Sequence, residues 1–381
     1  MSKIAFVVPS LGMQEGQGNA NMEMLRRVAR AGHEVDVYTS AAPPHVQSMA
    51  GVRVRMLPRL PAWQLGNQLL MLTGTGVRVR HSRYDLIHAD AGSMAGRADV
   101  LMVHTVSDRW RDVPAAVVRE PGIRGAHYAL ATKFKARLEI RQALHARAVF
   151  ANSEMTSRDL AARGVDPTRI TVVPFGVDEE RFRPPSEADR RSARDAFGIA
   201  QDAFVVGFVG AHGARKGLPE ALDALQAARA GEVLLVAGEH RGGTWARAAT
   251  ERKLPVVMPG KLDDVRRAYW SADVLAYPSH YDAFGMAVLE AMACGLPVVV
   301  SRSAGSHEIV RDAGFVLSDL EPRSLRLALD ALRDDPERRK QMGRRAREIA
   351  RARNWDKCGA IILDRYAELL DAAKGRATSA R

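Results

Sequence analysis

Short apolar runs of strand character recur along the chain, and between them lie stretches with helical spacing. Ile4–Pro9, Glu34–Tyr38, Asp85–His88, Val100–His104 and Ala148–Ala151 form one series. Helical spacing of Met24, Leu25 and Val28 predicts a helix over Met22–Ala31, ended by Gly32-His33. Strands separated by helices predict a parallel sheet with helices on both faces. A second series begins beyond Pro174: Phe204–Val209, Val233–Ala237, Val256–Met258, Val274–Tyr277 and Pro297–Val300, with helices expected over Leu218–Ala230 and Asp264–Ser271. The restart predicts two similar α/β domains, and 381 residues suffice for both. The prolines at 174, 184 and 185 place a hinge near Phe182–Ser186. The expected division is 1–178, 179–354 and a terminal segment, 355–381. Its helix, from Trp355 to about Ala372, has a broad apolar face and should pack back on the first domain; the tail from Lys374 should fray.

Composition excludes several classes. No apolar run reaches the roughly 18 residues of a membrane span. The apolar start is broken at Pro9, which fits a buried strand better than a signal peptide. Two cysteines, Cys294 and Cys358, provide neither a disulfide framework nor metal-ligand spacing. These features point to a cytoplasmic protein. The net charge of +12 favours anionic partners, although an arginine-rich composition would produce it without any function. Arg119–Arg147 holds seven Lys or Arg against two Glu, interleaved with Ala129, Phe134, Leu138 and Leu144. It reads either as a solvated helix face or as a contact for anionic lipid on the inner face of a membrane, or for a charged acceptor. No nucleic-acid motif is present.

Three segments carry chemistry. In Pro278–Val299 a strand gives way to a loop with Asp282, Ala283, Phe284 and Gly285. A helix is predicted from about Phe284 to Cys294, closed by Gly295 and Pro297. Its amino end would face the carboxyl edge of the sheet, where α/β folds bind phosphate-bearing ligands. Glu290 in that helix could accept hydrogen bonds from ribose hydroxyls. In Val209–Leu218 a strand leads through Gly210, Gly213 and Gly217 into a helix, with Arg215 and Lys216 at its mouth. A planar guanidinium and a compact ammonium could neutralise a diphosphate leaving group without a metal. Cations at a helix start oppose the helix dipole, which disfavours a purely structural role. In the loop after the first strand, Gly16 and Gly18 would let backbone amides approach a phosphate or sugar, but the Gly-x-Gly-x-x-Gly spacing of dinucleotide folds is missing. His104 ends an apolar strand at the edge where ligands bind, and His88 ends another. Asn19 and Asn21 either face an acceptor or cap the first helix.

These segments, with Asn152-Ser153-Glu154 and Ile170–Asp178, resemble the GT-B fold glycosyltransferases of family 4 over almost the whole chain. The loop Arg215-Lys216-Gly217 is similar to that of a subgroup including some lipopolysaccharide-core glucosyltransferases. The resemblance implies two Rossmann-like domains facing each other across a cleft, and retaining, metal-independent transfer from a nucleoside-diphosphate sugar of UDP or GDP type to a hydroxyl acceptor. The acceptor could be lipid-linked, a saccharide or a small natural product. It also implies site roles. Arg215 and Lys216 bind the diphosphate, Glu290 the ribose, and Asp282 the donor sugar. The amides of Ala283, Phe284 and Gly285 cap phosphate and sugar. His104 lies near the reacting sugar, and Gly16 touches phosphate. No cofactor or metal is implied. The chain departs from the family pattern at Asp282, where Glu is usual, and at Ala211, Phe175 and Glu15. Two other readings compete: a nucleotide-sugar 2-epimerase, which would turn over donor without acceptor, and a non-enzymatic basic anion-binding protein, which would bind with steep salt dependence.

Overall fold

The computed structural model describes residues 1–12, 16–60, 64–80, 83–111, 113–114, 122–238 and 243–379. They fall into two compact units. One is built from Met1–Asp112, Arg119–Phe175 and Trp355–Arg381, the other chiefly from Gly176–Asn354.

The first unit contains β1 (Lys3–Val7), β2 (Glu34–Thr39), β3 (Val52–Met56), β4 (Leu86–Asp90), β5 (Val100–Val103), β6 (Ala148–Ala151) and β7 (Ile170–Val172). All pair in parallel, in the order β3-β2-β1-β4-β5-β6-β7. The central strands are buried on both faces, which is why they read as continuous apolar runs rather than alternating ones. The second unit repeats the plan with β8 (Phe204–Val209), β9 (Glu232–Ala237), β10 (Val256–Gly260), β11 (Val274–Tyr277), β12 (Val298–Ser301) and β13 (Gly314–Leu317), in the order β10-β9-β8-β11-β12-β13. In each sheet the chain direction across the sheet reverses beside the first strand, between β1 and β4 and between β8 and β11. Such switch points open crevices at the carboxyl ends of the strands. The expected fold class, two doubly wound parallel-sheet domains, is what the structure contains.

Several element bounds differ from expectation. The first helix spans Gly16–Arg30 and so begins at the glycine loop, six residues before Met22. The helix after β8 covers only Leu218–Ala224 and tightens into a 3-10 turn over Leu225–Ala227. The helix after β11 is Met286–Ala293, because Gly285 takes a left-handed conformation (φ 93°) as its N-cap and keeps Phe284 out of the helix. The terminal helix runs from Trp355 to Ser379, past the residues where an irregular tail was expected. The Pro-rich segment near Phe182 leads into a helix at Glu187–Ala196, started by a reciprocal capping box between Ser186 and Asp189.

Candidate functional site

In the second unit, the loop after β8 and the loop after β11 meet at the switch point. Gly217 makes the meeting possible. It has φ 83°, and a Cβ there would lie 2.0 Å from the Pro278 carbonyl oxygen, so only glycine fits. His280 N–H donates to the Arg215 carbonyl (2.9 Å), and His280 Nε2 lies 2.7 Å from Glu220 Oε1. The far side of the second loop is fixed by Asp282, whose N–H donates to the Ser303 carbonyl (3.1 Å) and whose carbonyl accepts from Gly305 N–H (2.9 Å).

The charged side chains converge on Asp282. Its Oδ2 lies 3.3 Å from Arg215 Nη1 and 4.0 Å from Lys216 Nζ, and it accepts from the Tyr277 hydroxyl at 2.6 Å. Arg215 Nη1 also donates to the Tyr281 carbonyl at 2.5 Å. Phe284 N–H donates to Asp282 Oδ1 at 3.4 Å, and Ala283 lies between the two. Lys216 Nζ stands over the Tyr277 ring, 5.2 Å from its centroid. Burial works against the Asp282 carboxylate, but Arg215 and Lys216 outweigh it and hold its carboxyl below the usual range. Burial pulls the Lys216 ammonium below its ordinary value, with Asp282 opposing. Arg215, Lys216 and Asp282 keep 15, 15 and 18% of their side-chain surface exposed, so a ligand can still reach all three.

Glu290 occupies the fifth position of its helix, in the second turn rather than the first. Its Oε2 accepts from the Tyr269 hydroxyl (2.7 Å), and burial raises its carboxyl above the ordinary value, with Tyr269, Arg181 and Lys216 opposing. Thus Arg215, Lys216, Asp282, Ala283, Phe284, Gly285 and Glu290 share one end of the second sheet. Tyr277 and Tyr269, which hold the two acids, were not identified from the sequence: Tyr277 ends an apolar strand, and Tyr269 lies in a short helix of mixed polarity.

The first unit gathers a separate cluster at its own switch point. Asp90, at the end of β4, is buried. Its Oδ2 accepts from Asn21 Nδ2 (2.8 Å) and Gln17 Nε2 (2.9 Å), while Oδ1 lies 3.1 Å from His104 Nε2. That nitrogen also lies 3.0 Å from Asn21 Oδ1, so two acceptors place its hydrogen on Nε2. Among the described residues the buried Nδ1 of His104 has no hydrogen-bond partner. Burial opposes the Asp90 charge, but His104 and the amide donors hold its carboxyl below the usual range. Asn21 therefore belongs to the His104 network and is not a helix cap. His88 is fully buried and meets the Tyr366 hydroxyl through Nδ1, with Asp90 and His104 near enough to act on its charge. A small cavity beside His104 is lined by Gln17, Ala91, Met102, Thr105, Lys135 and Glu139 as well.

Gly16 opens the first helix at the edge of this cluster. Gly18 has a packing reason: a Cβ there would lie 2.9 Å from the Gly12 carbonyl oxygen. Glu15 lies outside the described residues. Phe175, where the family pattern has Asn, is buried between His104 and Trp355, with ring centroids 5.8 Å from each. Asp90, Gln17, Lys135, Thr105 and Glu139 were not identified from the sequence. Asp90 sits in a strand whose apolar neighbours mask it, and Glu139 in a helix where Lys and Arg dominate the charge.

Comparison with known proteins gives the family. The model described as Glycosyltransferase Family 4 matches residues 15–181, and that described as Glycosyl transferases group 1 matches residues 189–349. A D-inositol 3-phosphate glycosyltransferase of Xylanimonas cellulosilytica is 32% identical, covering 94% of this chain and 93% of its own. The enzyme of that name from Saccharomonospora viridis is also 32% identical, covering 92% of this chain and 88% of its own. The chain belongs to the family 4 glycosyltransferases of GT-B fold. Among solved structures, sucrose-phosphate synthase of Thermosynechococcus elongatus superposes with a TM-score of 0.79 at 20% identity, over 98% of this chain and all of the other. Anabaena HepE, solved with UDP and glucose, gives a TM-score of 0.74 at 20% identity, over 97% of this chain and all of the other.

Proposed function

We propose that the protein moves a glycosyl group from a uridine-type nucleoside-diphosphate sugar to a hydroxyl of a phosphorylated acceptor, with retention at the anomeric carbon and without a metal. The observation that carries the donor half is the convergence of Arg215 and Lys216 on Asp282 at the β8/β11 switch point, with Glu290 beside them. When the bond from C1 to the diphosphate oxygen breaks, negative charge grows on the leaving phosphate, and the two cations stabilise it. A bound diphosphate would replace Asp282 as their main anionic partner, leaving that carboxylate for the sugar hydroxyls. Glu290, with one oxygen held by Tyr269, keeps the other for the ribose. Uridine as the base is supported by the UDP and UDP-glucose complexes of Anabaena HepE, and the phosphorylated acceptor by the names of the relatives. In the first unit, Lys135 supplies a cation beside Thr105 and His104.

Calorimetric titration with UDP and a turnover assay test the donor site. Arg215→Ala and Lys216→Ala should each lower turnover by about 10²–10³-fold with the far-UV circular dichroism unchanged. Activity should persist in EDTA, and NMR of the product should show the donor's anomeric configuration. Full activity in both variants would refute the diphosphate assignment, and activity abolished by EDTA would refute the metal-free step.

A further inference from the structure

Eight large hydrophobic side chains stand exposed among the described residues, and six of them belong to three stretches of the first unit: Met56, Leu60, Leu69, Leu130, Phe134 and Leu144. The stretches are physically continuous. Leu57 packs against Gly74 of the helix Gln64–Arg78, and the Asn67 side chain bonds both the N–H (2.6 Å) and the carbonyl (2.8 Å) of Leu60. That helix packs in turn on the helix Gly122–His145. On the latter, Leu130, Phe134, Arg137 and Arg141 follow one another at helical spacing along an exposed stripe, with Lys133 beside them.

The charge on this face has one sign. Across 52–60, 64–80 and 122–145 the only acidic residue is Glu139, and it is buried against Ser107, which donates to it from both its N–H (3.2 Å) and its hydroxyl (2.7 Å). Arg59, Arg78, Lys133, Arg137 and Arg141 are all exposed. We propose that this face docks the protein on an anionic phospholipid surface, with Leu130 and Phe134 entering the acyl boundary and the flanking cations meeting lipid phosphates. The alternatives fit less well. Two copies meeting through it would set cation against cation, since the described residues of these three stretches offer no exposed carboxylate. A nucleic acid would leave the exposed leucines and phenylalanine in water. The proposal rests on this surface alone and is independent of the donor reading.

Co-sedimentation of the full chain with phosphatidylcholine vesicles, with and without phosphatidylglycerol, tests it. Binding should require phosphatidylglycerol and weaken in high salt. The double variants Leu130→Ser/Phe134→Ser and Lys133→Glu/Arg137→Glu should each bind about tenfold more weakly or worse. Both should keep the wild-type melting temperature and UDP affinity, since all four side chains face solvent or sit at the rim. The proposal is overturned by no binding to either vesicle or by equal binding of both variants. It is also overturned if sedimentation velocity shows a dimer that Leu130→Ser/Phe134→Ser abolishes.

Discussion

At the scale of single residues, two buried groups in the first unit pull stability in opposite directions with pH. Burial depresses the His88 imidazole to about 4 from an ordinary 6.5. Between those values the unfolded chain holds a proton that the folded chain refuses, so acidification favours unfolding, by up to about 3 kcal/mol at completion. Burial raises the Glu139 carboxyl to about 7 from an ordinary 4.5. Between those values the folded chain holds a proton that the unfolded chain lacks, so acidification favours folding by a similar amount. The two offset each other between about pH 6.5 and 4.5. Glu139→Gln should therefore make the melting temperature fall more steeply as pH drops through that window. His88→Gln, which keeps a polar partner for Tyr366, should make it fall less or rise. Melting curves of both variants that parallel the wild type would show that neither group titrates as its burial requires. Neither effect was legible in the sequence. His88 meets Tyr366 across 278 positions, and Glu139 looks like one more charge in a basic helix.

At the scale of elements, the terminal helix links the last residues of the chain to its first. Trp355, Cys358, Ile362, Tyr366 and Leu369 are buried at helical spacing, and the helix lies on Gly16–Arg30. Arg27 Nη2 pairs with Asp356 at 2.8 Å, and Arg147 Nη2 donates to the Leu369 carbonyl at 2.8 Å. This apolar stripe was legible, as were the central strands, because burial on a fixed face writes a periodic pattern. The helix Gln64–Arg78 was not. It has no acid in its first turn and its leucines and Met71 crowd together without a single polar face. Edge strand β3 is only half buried and alternates Val with Arg. Burying each large apolar side chain is worth about 1.5–3 kcal/mol, so losing five exceeds what a typical unit can spare. A chain ending at Asn354 should lose protease resistance in the first unit while residues of the second, including Gly176–Asn354, resist digestion. A protected first unit in that variant would mean the helix is dispensable.

For the whole molecule, one plan is used twice, and both residue clusters follow from it. Strand order brings the start of the helix after β1 beside the ends of β4 and β5, which gathers Gln17, Asn21, Asp90 and His104. The same order in the second sheet gathers Arg215, Lys216 and Asp282 from the loops after β8 and β11. The second cluster was partly legible because its cations flank glycines and its acids sit in a recognisable block. In the first, His104 was legible as a strand-end residue, but its meeting with Gln17, Asn21 and Asp90 depends on long-range placement that no local spacing records. Each unit has its own buried core, one around Val7, Ile87 and Leu101 and one around Phe208, Leu234 and Val299. Separate cores argue against a single two-state transition, so scanning calorimetry should resolve two. A ligand held by the second unit alone stabilises that unit by RT ln(1 + [L]/Kd), about 2.7 kcal/mol at one hundred times Kd. For a unit of this size that corresponds to a shift of roughly 5–10 °C. UDP should therefore raise one transition and leave the other in place, and Arg215→Ala should abolish the shift without moving the unliganded transitions by more than a degree or two. A single cooperative transition would contradict the separate cores, and a UDP shift that survives Arg215→Ala would remove the nucleotide from the β8/β11 switch point.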